Sequence, residues 1–126
     1  MKILITSHRF YPDVGGIESI SEILASAFAD RGHEVKLITQ SYGKSEDDQT
    51  RFSFGIIRCP SHSDLFDCYR WADVVFQNNI EVRQLWPLFV FNRPLLIALH
   101  TWIRTSKGEL TLLQRVKRLS MRRANK

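Results

Sequence analysis

The first 40 residues constrain the fold more than any other stretch. Lys2 to Thr6 is a short run of leucine and β-branched residues, the composition of a strand buried on both faces. A polar loop follows, punctuated by Pro12 and the pair Gly15-Gly16. Ile17, Ile20, Leu24, Ala27 and Phe28 then recur at helical spacing, with Glu18, Glu22, Asp30 and Arg31 on or near the other side. Gly32 stands where a helix-terminating glycine belongs, and Val35 to Thr39 predicts a second strand. Strand, loop, helix and strand in so short a span define a βαβ unit. A parallel pair needs such a crossover, and its hand is right.

The alternation continues along the chain. Ser41 to Gln49 is polar and acidic and predicts a surface loop. Phe54 to Cys59 predicts a third strand stopped by Pro60, and Asp64 to Ala72 a short helix. Asp73 to Gln77 predicts a fourth strand, Glu81 to Phe91 a helix kinked or stopped by Pro87, and Leu95 to Leu99 a fifth strand. After a loop over Thr101 to Gly108, Glu109 to Arg123 reads as a helix with Leu112, Val116 and Leu119 aligned. Strands alternating with helices imply an α/β fold, a Rossmann-like doubly wound parallel sheet. Ligands of such sheets bind outside the carboxyl ends of the strands, so the loops after Ser7, Thr39, Gln77 and Leu99 are the positions to watch.

Composition narrows the class. At 126 residues the chain is one domain in length, and 44% hydrophobic with 25% charged residues excludes a disordered or collagen-like chain. No apolar run reaches the roughly 18 residues that span a bilayer. The opening segment lacks the run of about 7–15 apolar residues of a secretory signal, so the sequence reads as cytosolic. Cys59 and Cys68 belong to no zinc-spaced cluster and read as two small core-filling thiols. The net charge of +5 is uneven: residues 104–126 hold eight basic side chains against Glu109, a net +7, leaving −2 on the first 103 residues. Such asymmetry points to an acidic partner, membrane surface or nucleic acid.

Gly15-Gly16, just ahead of a helix, lets backbone approach a ligand closely, and the helix N-terminus offers free N–H groups to a phosphate. The alternative is a turn that merely needs glycine. The pattern is neither a dinucleotide fingerprint nor a P-loop, because GxGxxG and GK[ST] are both absent and no carboxylate ends the second strand.

Pro12-x-x-Gly15-Gly16-x-Glu18, a helix, and Arg31-Gly32-His33-Glu34-Val35 together resemble the N-terminal half of the family 4 glycosyltransferases, which have the GT-B fold. The resemblance runs on through Asp73-Val74-Val75, Asn78-Asn79-Ile80, Leu85-Trp86-Pro87-Leu88 and Arg93-Pro94 to His100-Thr101-Trp102, essentially the whole chain. It implies transfer of a sugar from a nucleotide-sugar donor to a glycan or lipid-linked acceptor, with retention of configuration and no metal or other cofactor. The acceptor belongs mainly to this domain and the donor to a C-terminal Rossmann-like domain. By the same resemblance Gly15 and Gly16 approach the donor diphosphate, and His100 lies beside the transferred sugar as the catalytic residue. Glu18, Asn78 and Asn79 are acceptor contacts, with His8, Arg9 and Tyr11 weaker candidates on the same rim. His33 reads as structural.

The sequence also departs from that family. The donor-binding domain is not among these residues, and the chain reads as a first domain cut before its sheet is complete, needing a C-terminal domain or partner chain for catalysis. A non-catalytic acceptor- or membrane-binding module, or an inactive fragment, is the alternative. The basic 109–123 helix has three readings: a peripheral contact with an anionic membrane at its inner face, a grip on nucleic acid phosphates, or a domain helix with a solvated basic face. No stacking platform or reading helix favours nucleic acid.

Overall fold

The computed structural model describes residues 1–79 and 81–99. The apolar runs become five strands: β1 (Lys2–Ser7), β2 (Glu34–Thr39), β3 (Gly55–Arg58), β4 (Val74–Asn78) and β5 (Leu95–Ala98). They form one all-parallel sheet in the order β3-β2-β1-β4-β5. With helices on both faces, this is the Rossmann-like α/β architecture that the alternation predicts. The expected C-terminal helix over 109–123 and the loop before it lie outside the described residues.

Alternation along the strands sorts side chains between two cores. Ile3 and Ile5 of β1 and Val35 and Leu37 of β2 pack with Ala25 and Phe28 of helix α1 (Gly16–Asp30). Leu4, Ile38 and Val75 point the other way, against Leu65, Cys68 and Tyr69 of α3 (His62–Trp71). The first core is extended by an aromatic group in which Phe10 and Phe52 lie 5.2 Å apart and Phe52 and Phe54 5.3 Å apart.

The helix ends follow from local chemistry. At the end of α1, Gly32 takes a left-handed φ of 82°, its N–H donates to Ala29 O (2.9 Å), and His33 N–H donates to Phe28 O (3.1 Å). That is the Schellman arrangement, and it is why glycine stands there. The His33 ring lies edge-on to Phe28, in keeping with a structural role. Ser61 and Asp64 form a capping box on α3: Asp64 N–H donates to Ser61 Oγ (3.2 Å), while Asp64 Oδ2 accepts from the Ser61 N–H (2.9 Å) and hydroxyl (2.7 Å). These bonds hold the Asp64 carboxyl below its ordinary value. Asp73 secures the opposite end of the sheet, accepting from Lys2 N–H through Oδ2 at 2.8 Å.

Three expectations are revised. Within the stretch read as loop, Ser45–Arg51 forms a helix, α2, with Glu46, Asp47 and Asp48 in its first turn and Arg51 in its last. That charge order suits the helix dipole, and the missing apolar stripe is replaced by an ion pair. Arg58 of β3 donates to Asp48 Oδ2 through Nε and to Oδ1 through Nη2, both at 2.7 Å, and to Ser41 O through Nη1 at 3.0 Å. Both side chains are about a tenth exposed, at 11% and 9%. Gly43 makes room for this pair: a Cβ there would sit 2.5 Å from the Arg58 guanidinium carbon. The stretch 81–91 is not one helix but two 3-10 turns, Val82–Gln84 and Trp86–Phe89, since Pro87 in the first turn of the second has no N–H to extend the ladder. Cys68 is a core thiol, and burial pushes its pKa up, but Cys59 is exposed just past β3.

Two outcomes test these packing arguments. Asp48→Ala strands the Arg58 guanidinium in a nearly dry site and lowers unfolding free energy by about 3 kcal/mol in denaturant titration. Ser61→Ala lets the Asp64 carboxyl titrate closer to its ordinary value by NMR. In the parent chain the stabilisation from that low pKa is present above the unfolded-state value and is lost as pH falls through the folded one.

Candidate functional site

From β1 the chain crosses to β2 on one side of the sheet, whereas β4 leads to β5 on the other. The strand order therefore reverses between β1 and β4, and the carboxyl ends of these neighbours bound a crevice of the kind in which doubly wound sheets hold ligands. The loop over 8–15 lies on one side of it and residues 79 and 81 on the other.

A chain of buried polar groups ties the floor of this crevice together. The Asn78 amide nitrogen, at the end of β4, donates to Ile17 O (3.0 Å) and Ser21 Oγ (2.7 Å) of α1. Ser21 in turn contacts Ser7 Oγ at 2.9 Å and Ile17 O at 2.9 Å, and Ser7 Oγ donates to Arg9 O at 2.7 Å. Asn78, Ser21 and Ser7 are essentially fully buried. Asn78 thus seats the first turn of α1 against β4, and its carboxamide nitrogen faces the helix rather than the rim. The sequence marks Ser7 only as the residue before a strand-end loop and gives Ser21 no role. A serine on the inward stripe of an otherwise apolar helix face was the available signal for Ser21.

That seat carries the glycine pair. Gly15 caps α1 without a side-chain hydrogen bond, and its carbonyl accepts from Ser19 N–H (3.2 Å) and Ser19 Oγ (2.9 Å). A Cβ on Gly15 would lie 2.5 Å from Glu18 Oε2, whereas one on Gly16 would meet nothing within 4 Å. The Glu18 carboxylate folds back over Gly15, where it favours the positive end of the helix. It is the far end of a flexible side chain and can yield to an incoming anion. Gly16 leaves its backbone open to solvent.

On the other rim, Asn79 adopts a left-handed φ of 66° and its N–H donates to Ala98 O at 2.8 Å, tying the end of β4 to β5. His8 Nδ1 lies 2.9 Å from Glu81 Oε2, with side chains 60% and 24% exposed, so this pair bridges the crevice mouth from the β1 loop to the residue that begins the first 3-10 turn. A bonded Nδ1 leaves Nε2 of the imidazole as the nitrogen not used by Glu81. Tyr11 is turned away, with the Arg51 guanidinium 4.2 Å above its ring. The loop is further anchored where Ser41 accepts from Phe10 N–H at 3.0 Å and donates to the Asp13 carboxylate. The Gly15-Gly16 turn, Glu18, Asn78 and Asn79 thus converge on one strand-end region, and His100 lies outside the described residues. Among the described residues no three His, Cys, Asp or Glu side chains are placed to hold a metal ion, and no helix is long and apolar enough to cross a membrane.

Asn78→Ala removes the seat, taking the buried amide donor from Ser21 Oγ and leaving Ile17 O only its contacts within α1. It lowers stability by about 2–3 kcal/mol in denaturant unfolding, whatever it does to ligand binding. No family model matches the chain, and no curated protein matches it.

Proposed function

We propose that this chain is the acceptor-side domain of a retaining glycosyltransferase of the GT-B type, similar to family 4. It takes part in moving a sugar from a nucleotide-sugar to a glycan or lipid-linked acceptor without a metal ion. The observation that carries the reading is the position of the glycine turn. A helix start whose cap makes no side-chain hydrogen bond, followed by an unobstructed Gly16, stands at the switch point of a β3-β2-β1-β4-β5 parallel sheet.

In this reading the backbone N–H groups at the start of α1 stabilise the charge that grows on the departing diphosphate, a task needing fixed dipoles rather than a titrating side chain. Glu18 moves off Gly15 as the diphosphate arrives and reaches acceptor hydroxyls. His100 orients a hydroxyl of the transferred sugar or assists proton movement. Asn78 acts by holding α1 in place, and Asn79 presents its amide side chain near the acceptor. A second, donor-binding Rossmann-like domain supplies the nucleotide contacts, and the basic residues of 109–123 give the assembly a route to an anionic membrane.

Gly16→Ala separates this role from a mere turn. The open space at Gly16 predicts unchanged or slightly raised stability, by up to about 1 kcal/mol. Nucleotide-sugar binding, read by calorimetry in the presence of a donor-binding domain, should nevertheless weaken at least about tenfold, because the added methyl holds the phosphate off the backbone. In the same assembly His100→Ala should lower turnover by about a hundredfold or more. Acceptor binding with no response to nucleotide-sugar, even with the donor domain supplied, would identify a binding module instead.

A further inference from the structure

The sheet face turned away from α1 carries a second set of buried polar side chains at the same strand ends. Thr6 and Gln77 are register partners on β1 and β4, and each lies two residues beyond a side chain of the α3-side core, Leu4 and Val75. They therefore share that face. Gln77 Nε2 donates to Glu81 O at 3.2 Å, and the same carbonyl accepts from Gln84 N–H at 3.1 Å, which brings Gln84 beside Gln77. All three side chains are at most 1% exposed. Even so, among the described residues Thr6 Oγ1, Gln77 Oε1 and both amide atoms of Gln84 have no hydrogen-bond partner, and essentially none of their surface is reachable by water. Buried polar atoms without partners destabilise a fold, and leucine or methionine would serve these positions better. Tyr69 OH and Trp86 Nε1 on the same side of the sheet are likewise unpartnered among the described residues, so unmatched polar atoms gather near the switch point.

We propose that Thr6 and Gln77 on the sheet and Gln84 on the strap over 81–91 are the two jaws of a subsite for an uncharged, hydroxyl-rich ligand, a pyranose ring. The four atoms determine the chemistry. Gln77 Oε1 and Gln84 Oε1 accept, Gln84 Nε2 donates, and Thr6 Oγ1 does either; ring hydroxyls, which donate and accept, match that mixture. A phosphate or carboxylate would instead confront two carbonyl oxygens. The strap is two 3-10 turns seated on α3 through Trp86, Leu88 and Phe91, with the partly exposed His8–Glu81 pair at its rim, so admitting the ring requires the strap to lift from that packing. Choosing a sugar accords with the acceptor-side reading above and rests on it; the clamp itself rests only on these side chains.

The test follows the side-chain amide NMR signals of Gln77 and Gln84 in the full chain during titration with the methyl α-glycosides of glucose, mannose and galactose, with inorganic phosphate as the anionic arm. Melting temperatures of Gln84→Met and the isosteric Thr6→Val are measured alongside. At least one glycoside should shift both amide signals saturably while phosphate does not. Gln84→Met should weaken that binding about tenfold, and neither variant should melt below the parent chain. A clear fall in melting temperature for both variants shows the polar atoms already satisfied in the fold and overturns the clamp. So does the absence of a shift with all three glycosides, or a shift with phosphate alone. Glycoside binding that Gln84→Met weakens, in a chain that never supports sugar transfer, keeps the clamp and removes the transferase. Transfer unaffected by Gln84→Met does the reverse.

Discussion

Asn78 is the residue on which the upper end of the molecule depends. Its carboxamide nitrogen reaches from the last position of β4 into the first turns of α1, and through Ser21 and Ser7 the contact passes to the backbone of the following loop. In a site closed to water each of these bonds is stronger than on the surface, and each has little alternative to being made. The consequence is geometric. A helix packed on a sheet by apolar contacts alone can slide along its axis, because burial has no direction. Hydrogen bonds do have one, so the start of α1 is held at a fixed height above the strand ends.

The two faces of the sheet treat their polar groups differently. On the α1 face the serines and Asn78 are knitted into one hydrogen-bonded line, and on the flank Arg58, Asp48 and Ser41 satisfy one another around Gly43. On the α3 face the amides of Gln77 and Gln84 leave atoms unmatched among the described residues. Satisfied networks rigidify a fold. One side of the crevice is therefore fixed by directional bonds, while the other is held chiefly by the apolar and aromatic packing of Trp86, Leu88 and Phe91.

The sheet was legible because parallel strands buried on both faces are written as short apolar runs that little else imitates. All five strands lie where those runs do, within a residue or two at the ends. Helix α2 was hidden because its stability comes from Arg58, a residue of a later strand, and from charge order, neither of which shows as periodicity. Residues 81–91 carry helix-like apolar spacing around Pro87, and the missing N–H decided against it. Among the site residues, the glycine pair could be read because its position before a helix constrains it. The direction of Asn78 could not be read: a polar residue ending a strand faces rim or helix according to parity, which only the register with β1 settles. Gln77 and Gln84 gave no sign, since a glutamine in a sequence does not say whether its amide finds a partner.

The opposite end of the sheet is held by different means. Gly32 closes α1, Asp73 grips the start of β1, and Glu34 N–H donates to Met1 O at 3.0 Å. These contacts are local and lie a full strand length from the crevice. Loops at this pole can therefore lengthen, shorten or accept an appended peptide with little effect on recognition, while those at the other pole vary specificity on an unchanged frame. The domain thus has two unequal poles: one held by Gly32 and Asp73 at a distance from the crevice, the other answerable to whatever the crevice binds.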